Sequence, residues 1–434
     1  MSNPKKEEGL KREVDVAGLT LTIVNGTIGA GIFALPAIIS IALGAFGIFS
    51  YLFCSIMMAA ILLCYAEIGS RITTSGGSYA YVEAAFGTFP GYIINWLYFF
   101  GWSALGSAAL MNIIADSMAT IFPIFTNPLA RACLFFVFLS FIVLVNIRGV
   151  KQGVHFVKCI TIIKLIPLFA IIIFGFNKVD LNNLQWNQLP SLQTFDNTAL
   201  ILFFAFAGFE TSLSVSGEIK NPSRTVPLGI LFGGLIVFII YVLIQTVTQG
   251  VLGLQMQDFK AAPIAAVAEQ LIGPVGGTIL LLTAIISTFG NISADVLATP
   301  RILFAGANDG LFPKFLSKIH AKFATPYIAV ITYASLIFVL SISGGFKQLA
   351  SLASGSILIV YLSVILATIK LRKNSIENNE NSFRSPGGLI IPIIGIVSIL
   401  WLLTSLSQIE VISIIILILV TCMFYLALKK FQKS

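Results

Sequence analysis

Asn25-Gly26-Thr27-Ile28-Gly29-Ala30-Gly31-Ile32-Phe33 sets three glycines into the middle of an otherwise apolar stretch, residues 15–43. A second interrupted stretch, 197–217, carries Phe204-Ala205-Phe206-Ala207-Gly208-Phe209-Glu210-Thr211. Glycine weakens a helix and lets it unwind. Unwound backbone at membrane depth is tolerated only where it is buried in protein or lines a cavity. At such a break, the unpaired N–H groups and the positive end of the half-helix dipole make a seat for a carboxylate. The released C=O groups opposite suit an ammonium, so one zwitterion satisfies both sets. Glycines in membrane helices also serve as small-residue packing faces. Two interruptions placed five spans apart, each with a polar Thr or Glu beside its glycine, favour the binding reading and predict an inverted-repeat carrier.

Composition sets the surroundings. Of 434 residues, 57% are hydrophobic and only 10% charged, with a mean hydropathy of +0.97. Such a chain cannot form a soluble core under a polar coat. Apolar stretches of roughly 17 to 30 residues recur about twelve times between positions 15 and 428, each long enough to cross the hydrocarbon layer. They predict an all-α membrane protein of one domain, 1–434. Repeat one would occupy about 15–176, repeat two about 197–370 and two accessory helices about 389–428. Residues 1–19 are charged and polar and do not read as a removable signal peptide. With the amino terminus inside, about 20 of the 26 Lys and Arg fall on the cytoplasmic side, and Arg131, Lys178, Lys260 and Lys347 outside. Both termini are therefore expected in the cytoplasm, in an inner membrane. The net charge of +8 follows from that bias, and no nucleic-acid partner is needed to explain it.

Cys54, Cys64, Cys133, Cys159 and Cys422 are scattered through apolar segments without a CxxC pair and read as small core residues. His155 and His320 are isolated at helix ends or turns, so neither a metal nor another cofactor is expected. Asp116 and Asp295 lack a GxGD setting, and neither HExxH nor GxSxG occurs, which argues against an enzyme. A channel would need a continuous pore ringed by polar groups rather than one occluded pocket.

Several ordered motifs resemble the amino acid-polyamine-organocation family. Ile28-Gly29-Ala30-Gly31-Ile32-Phe33 is similar to its first-helix motif. More specific are Tyr65-Ala66-Glu67-Ile68-Gly69-Ser70-Arg71, then Ser75-Gly76-Gly77-Ser78-Tyr79-Ala80-Tyr81 and Ala85-Phe86-Gly87. Asn146-Ile147-Arg148-Gly149-Val150-Lys151 resembles the turn after the fourth helix. Glu218-Ile219-Lys220-Asn221-Pro222-Ser223-Arg224 with Pro227 resembles the turn after the sixth. Asp309-Gly310-Leu311-Phe312-Pro313 and Phe383-Arg384-Ser385-Pro386-Gly387 complete the series. The resemblance implies a LeuT-type fold of ten core helices plus two, and proton-dependent transport or exchange of amino acids or related amines.

It also implies site residues. The substrate carboxylate is expected at the main-chain N–H groups near Ala30 and Gly31, and the α-amino group at carbonyls near Thr27, Phe204 and Ala207; Ile28 is counted among the binding residues. Phe204 and Phe206 read either as gate residues beside Gly208 or as lipid-facing aromatics. Tyr98 and Trp102 are expected as pocket walls, although both residue types are common at membrane interfaces. Lys164 lies mid-span, where a charge costs several kcal/mol, about 3 on insertion scales, unless neutral or paired. By resemblance it contacts the first helix near Gly26 in place of sodium; snorkelling to the surface is the other reading. Glu210 reads as a proton-exchanging gate residue or as an acid held by a helix dipole. Asp295 has no basic neighbour in sequence. It would favour a cationic side chain such as that of lysine or ornithine, or else bond to a buried lysine or hydroxyl.

Overall fold

A computed structural model describes residues 12, 14–29, 31–73, 76–148, 153–186, 189–213, 216, 219–308, 312–323, 325–373 and 383–431, without side-chain detail at 153–159 and a few helix-end positions. Among these residues there is no strand, only an isolated bridge between Val14 and Ile219.

The first apolar stretch forms two helices, α1 (Val16–Thr27) and α2 (Gly31–Leu43). The Asp15 carboxylate caps α1 by accepting the Gly18 N–H at 2.8 Å, which fixes where the helix starts. Next come α3 (Gly47–Arg71), the short α4 (Ser78–Phe86) and α5 (Thr88–Ile121). Asn127 followed by Pro128 starts α6 (Pro128–Ile147); the cap and the proline each suit a helix's first turn. The long α7 (Gly153–Gly175) precedes the second interrupted span, α8 (Leu192–Phe206), which gives way to a 3₁₀ turn at Phe209–Leu213. Beyond it run α9 (Pro222–Leu252), α10 (Pro263–Ile272), α11 (Pro274–Ala298), α12 (Pro300–Asn308), α13 (Tyr327–Ser343), α14 (Phe346–Lys373), α15 (Ile390–Thr404) and α16 (Gln408–Phe431). Nine stretches of the described residues are long and apolar enough to cross a membrane by length and composition.

Burial separates core from periphery. In the most apolar window of α5, 89% of residues are buried, against 17% in α6 and 11% in α16. The outer faces of those two helices present Phe136, Phe141, Ile409 and Met423, as lipid contact demands. Cys133 also lies exposed on α6, which corrects the reading of every cysteine as core; Cys54 and Cys64 are buried, and the Cys159 side chain lies outside the described residues.

A polar clamp ties α3 to α14. Glu67 is fully buried. It accepts from Arg372 Nε at 2.7 Å and Nη2 at 2.5 Å, from the Ser385 N–H and hydroxyl at 3.0 and 2.9 Å, and from Arg71 at 3.0 Å. Arg372 also donates to the Gly388 carbonyl. The clamp thus joins two spans to the segment leading into α15.

Candidate binding site at the broken helices

The two breaks meet backbone to backbone. Gly208 has φ +111°, and a Cβ built on it would stand 2.5 Å from the Gly26 carbonyl oxygen; one built on Gly26 would stand 2.9 Å from the Gly208 oxygen. Neither partner is a flexible side-chain tip. Gly208→Ala therefore forces both a disfavoured backbone and a clash, worth about 1–3 kcal/mol for the backbone alone. The expected result is a lower melting temperature in detergent and loss of transport, measured side by side.

The breaks release the groups that a zwitterion needs. Gly31 opens α2, so its N–H is one of those without an intrahelical acceptor. In an unbroken helix the Gly208 N–H would bond to the Phe204 carbonyl. Here it donates to Glu210 Oε2 at 3.0 Å instead, and Ala207 is extended. The Phe204 and Ala207 carbonyls are therefore left without their helical donors. Ala30 lies outside the described residues. Ile28 is fully buried, and its own N–H ends α1 by bonding to Val24 at 2.9 Å.

Thr27 behaves differently from its expected role as an ammonium acceptor in this conformation. Its carbonyl already accepts the Gly29 N–H at 2.9 Å and the Tyr241 hydroxyl at 3.1 Å. Tyr241, on α9 and fully buried, also bonds to the Ala205 carbonyl at 2.8 Å. One phenol thus bridges the released carbonyls of both broken spans. Sequence reasoning missed it, since nothing near position 241 points to partners 214 and 36 residues away. Tyr241→Phe removes about 1–3 kcal/mol of hydrogen bonding. We expect a shift of roughly tenfold in apparent substrate affinity with the fold retained, checked by binding and thermal melts of the purified protein.

Lys164 is fully buried, and its ammonium donates to the carbonyls of Asn25 at 3.0 Å and Ile28 at 2.5 Å. It does not snorkel. The ion pairs among the described residues join Glu67 to Arg71 and Arg372, and Asp116 to Arg131; none involves Lys164. The lysine amine thus sits where α1 turns its last carbonyls inward.

Aromatic rings pack beside the breaks. Phe204 is buried between Trp102 of α5, with ring centroids 5.5 Å apart, and Phe346 of α14, at 5.8 Å. Phe206 packs on Tyr241 at 5.0 Å, and both phenylalanines are buried rather than exposed on the outer face of the bundle. Tyr98 bonds to Thr211 at 2.8 Å. Tyr98 and Trp102 belong to Leu97–Ala104, which winds as a π-helix within α5, a widening common at functional positions.

Glu210 is buried in the 3₁₀ turn. Besides the Gly208 N–H, its Oε2 accepts the Tyr361 hydroxyl at 2.6 Å. Asp295 is engaged by the scaffold. Ser103 and Thr299 (2.7 Å) donate to one carboxylate oxygen, Ser107 (2.8 Å) and Tyr333 (2.6 Å) to the other. A carboxylate has about four acceptor positions, and hydroxyls from α5, α13 and the end of α11 fill them. Of the two readings open from sequence, the geometry gives Asp295 buried hydroxyls as partners.

An apolar bundle with two mid-span breaks, abutting glycines and a buried lysine aimed at the freed carbonyls defines a multi-pass membrane transporter rather than an enzyme. Comparison with known proteins places it more closely. A model of the amino acid permease family matches residues 14–428, and the chain belongs to that family. It shares 30% identity over 90% of its length with the Serine/threonine exchanger SteT of Bacillus subtilis, covering 90% of that protein. It is 26% identical to the Branched-chain amino acid permease BcaP of the same organism (89% of this chain, 86% of BcaP) and 27% identical to its Methylthioribose transporter (91% and 88%). The resemblance drawn from the motifs holds, and with it the all-α LeuT-type fold.

Proposed function

We propose that this permease carries neutral amino acids across an inner membrane without sodium, by exchange or together with a proton, with both termini in the cytoplasm. The observation that carries the reading is Lys164 Nζ on the Asn25 and Ile28 carbonyls: the lysine already takes the acceptors that a soluble cation bridging α1 to α7 would need. The substrate carboxylate binds at the start of α2 and the ammonium at the Phe204 and Ala207 carbonyls, with Tyr98, Trp102, Phe204 and Phe206 walling the pocket. A neutral rather than a cationic side chain is favoured because the hydroxyls already satisfy Asp295, and the serine/threonine and branched-chain relatives support that choice. Residues 15–176 and 197–370 act as inverted repeats around this centre, opening to one side at a time, since a ligand shifts such states only by binding them unequally.

The test is a competition panel of neutral and cationic amino acids and polyamines in proteoliposomes, with and without Na⁺, at two pH values. Saturable counterflow by neutral amino acids, unchanged when Na⁺ is replaced by choline, is the expected result; strict Na⁺ dependence or preference for lysine would refute it. Glu210→Gln, run in the same panel, is expected to flatten the pH profile, and an unaltered profile removes Glu210 from proton coupling.

A further inference from the structure

Between α3 and α9 lies a cavity of about 910 Å³ that runs up to the broken spans and is lined mostly by apolar side chains. Leu62 and Ala59 form one wall and Leu231 and Leu235 the other; both Ala59 and Leu231 are exposed within it. Its lining runs along α9 from Arg224 to Phe238, about 21 Å at 1.5 Å per residue. Half of a hydrocarbon layer is about 15 Å deep, so the groove reaches from one membrane surface to the midplane.

Its two ends differ. The inner end is apolar. At the outer end stands Arg224, exposed, with no acid paired to it among the described residues. Further basic charge collects on the same side: Lys220, whose N–H bonds to the Val14 carbonyl at 2.9 Å, and Arg12 just before Val14, both exposed. Among the described residues the acid in this neighbourhood is Asp15, which is engaged in capping α1.

An apolar slot one leaflet deep with a guanidinium at its mouth has the shape and charge of a lipid seat, and we propose that it binds one anionic phospholipid, with an acyl chain between α3 and α9 and the phosphate on Arg224. Surface basic residues attract anionic headgroups in this way. The occupant would also reach the machinery of transport, because Thr27, Phe206 and Phe209 of the two broken spans contribute to the groove. A chain seated there touches the elements that must move, so its binding depends on which way the carrier faces, and by linkage it biases that equilibrium.

Native mass spectrometry of the full-length protein, offered phosphatidylglycerol and phosphatidylcholine in equal amounts, tests this directly. The wild type is expected to retain phosphatidylglycerol about fivefold over phosphatidylcholine. Arg224→Gln should bring the ratio near one while lipid still binds. Ala59→Phe, which fills the groove, should abolish retention of both. Leu231→Trp fills it from the other wall and stands in should Ala59→Phe melt below the wild type. Counterflow should be faster in phosphatidylglycerol vesicles than in phosphatidylcholine vesicles for the wild type alone. Equal retention of the two lipids by the wild type, a preference that survives Arg224→Gln, or undiminished retention by both groove-filling variants each overturns the proposal. Because lipid retention is read without any amino acid present, its failure is distinct from a failure of the transport assignment.

Discussion

Lys164→Ala is expected to abolish amino acid uptake, by roughly a hundredfold or more, while the protein still inserts and purifies. The estimate follows from what the ammonium does. It supplies two charge-assisted hydrogen bonds, each worth about 1.5–3 kcal/mol, to the Asn25 and Ile28 carbonyls. Those carbonyls lie at the end of α1, immediately before the break. Without the lysine they face a cavity left by its stem, and the end of α1 loses its tether to α7. Lys164→Met keeps most of the stem volume and isolates the charge: it should restore much of the thermal stability lost in Lys164→Ala but none of the transport. Uptake by Lys164→Met at the wild-type rate would sink the role assigned to the ammonium.

The second large effect concerns stability. Arg372→Ala leaves Glu67 buried with Arg71 as its remaining cationic partner. Breaking a buried pair by removing one member costs about 3–5 kcal/mol, because the other charge stays desolvated. Arg372 also holds Ser385 and the Gly388 carbonyl, so α3, α14 and the approach to α15 all lose a common anchor. The expected outcome is a clear drop in melting temperature and in the yield of monodisperse protein. The double variant Glu67→Gln/Arg372→Met, which removes both charges, should recover part of that loss, since the penalty lies in the orphaned charge rather than in the absent attraction. Equal instability of the single and double variants would contradict this explanation.

What the sequence exposes, and what it hides, depends on how local each feature is. The breaks in α1/α2 and α8 are legible because glycine is concentrated there, and helix disruption is a near-neighbour property. A lysine in the middle of an apolar run is legible for an energetic reason: it needs an acceptor, and few are free at mid-depth except at a break. Asp295 was legible as an anomaly but not as a solved one, because Ser103, Ser107 and Tyr333 come from other helices and are ordinary residues in their own stretches. Tyr241 carries no local mark at all. Glu67 and Arg372 stand 305 positions apart, and although Glu67 lies in a recognisable motif, nothing in that motif names its partner. The widened turn at Leu97–Ala104 arises from backbone register, which apolar periodicity does not encode.

The contact between Gly26 and Gly208 has a mechanical consequence. With no side chain between them to compress or to change rotamer, the last turn of α1 and the turn after α8 have almost no slack at their meeting point. A hinge without play transmits rotation: tilting either segment by more than a fraction of an ångström at that point drags the other. The two half-spans should therefore swing as one lever, and spin labels on α1 and on Phe209–Leu213 should report the same opening rate.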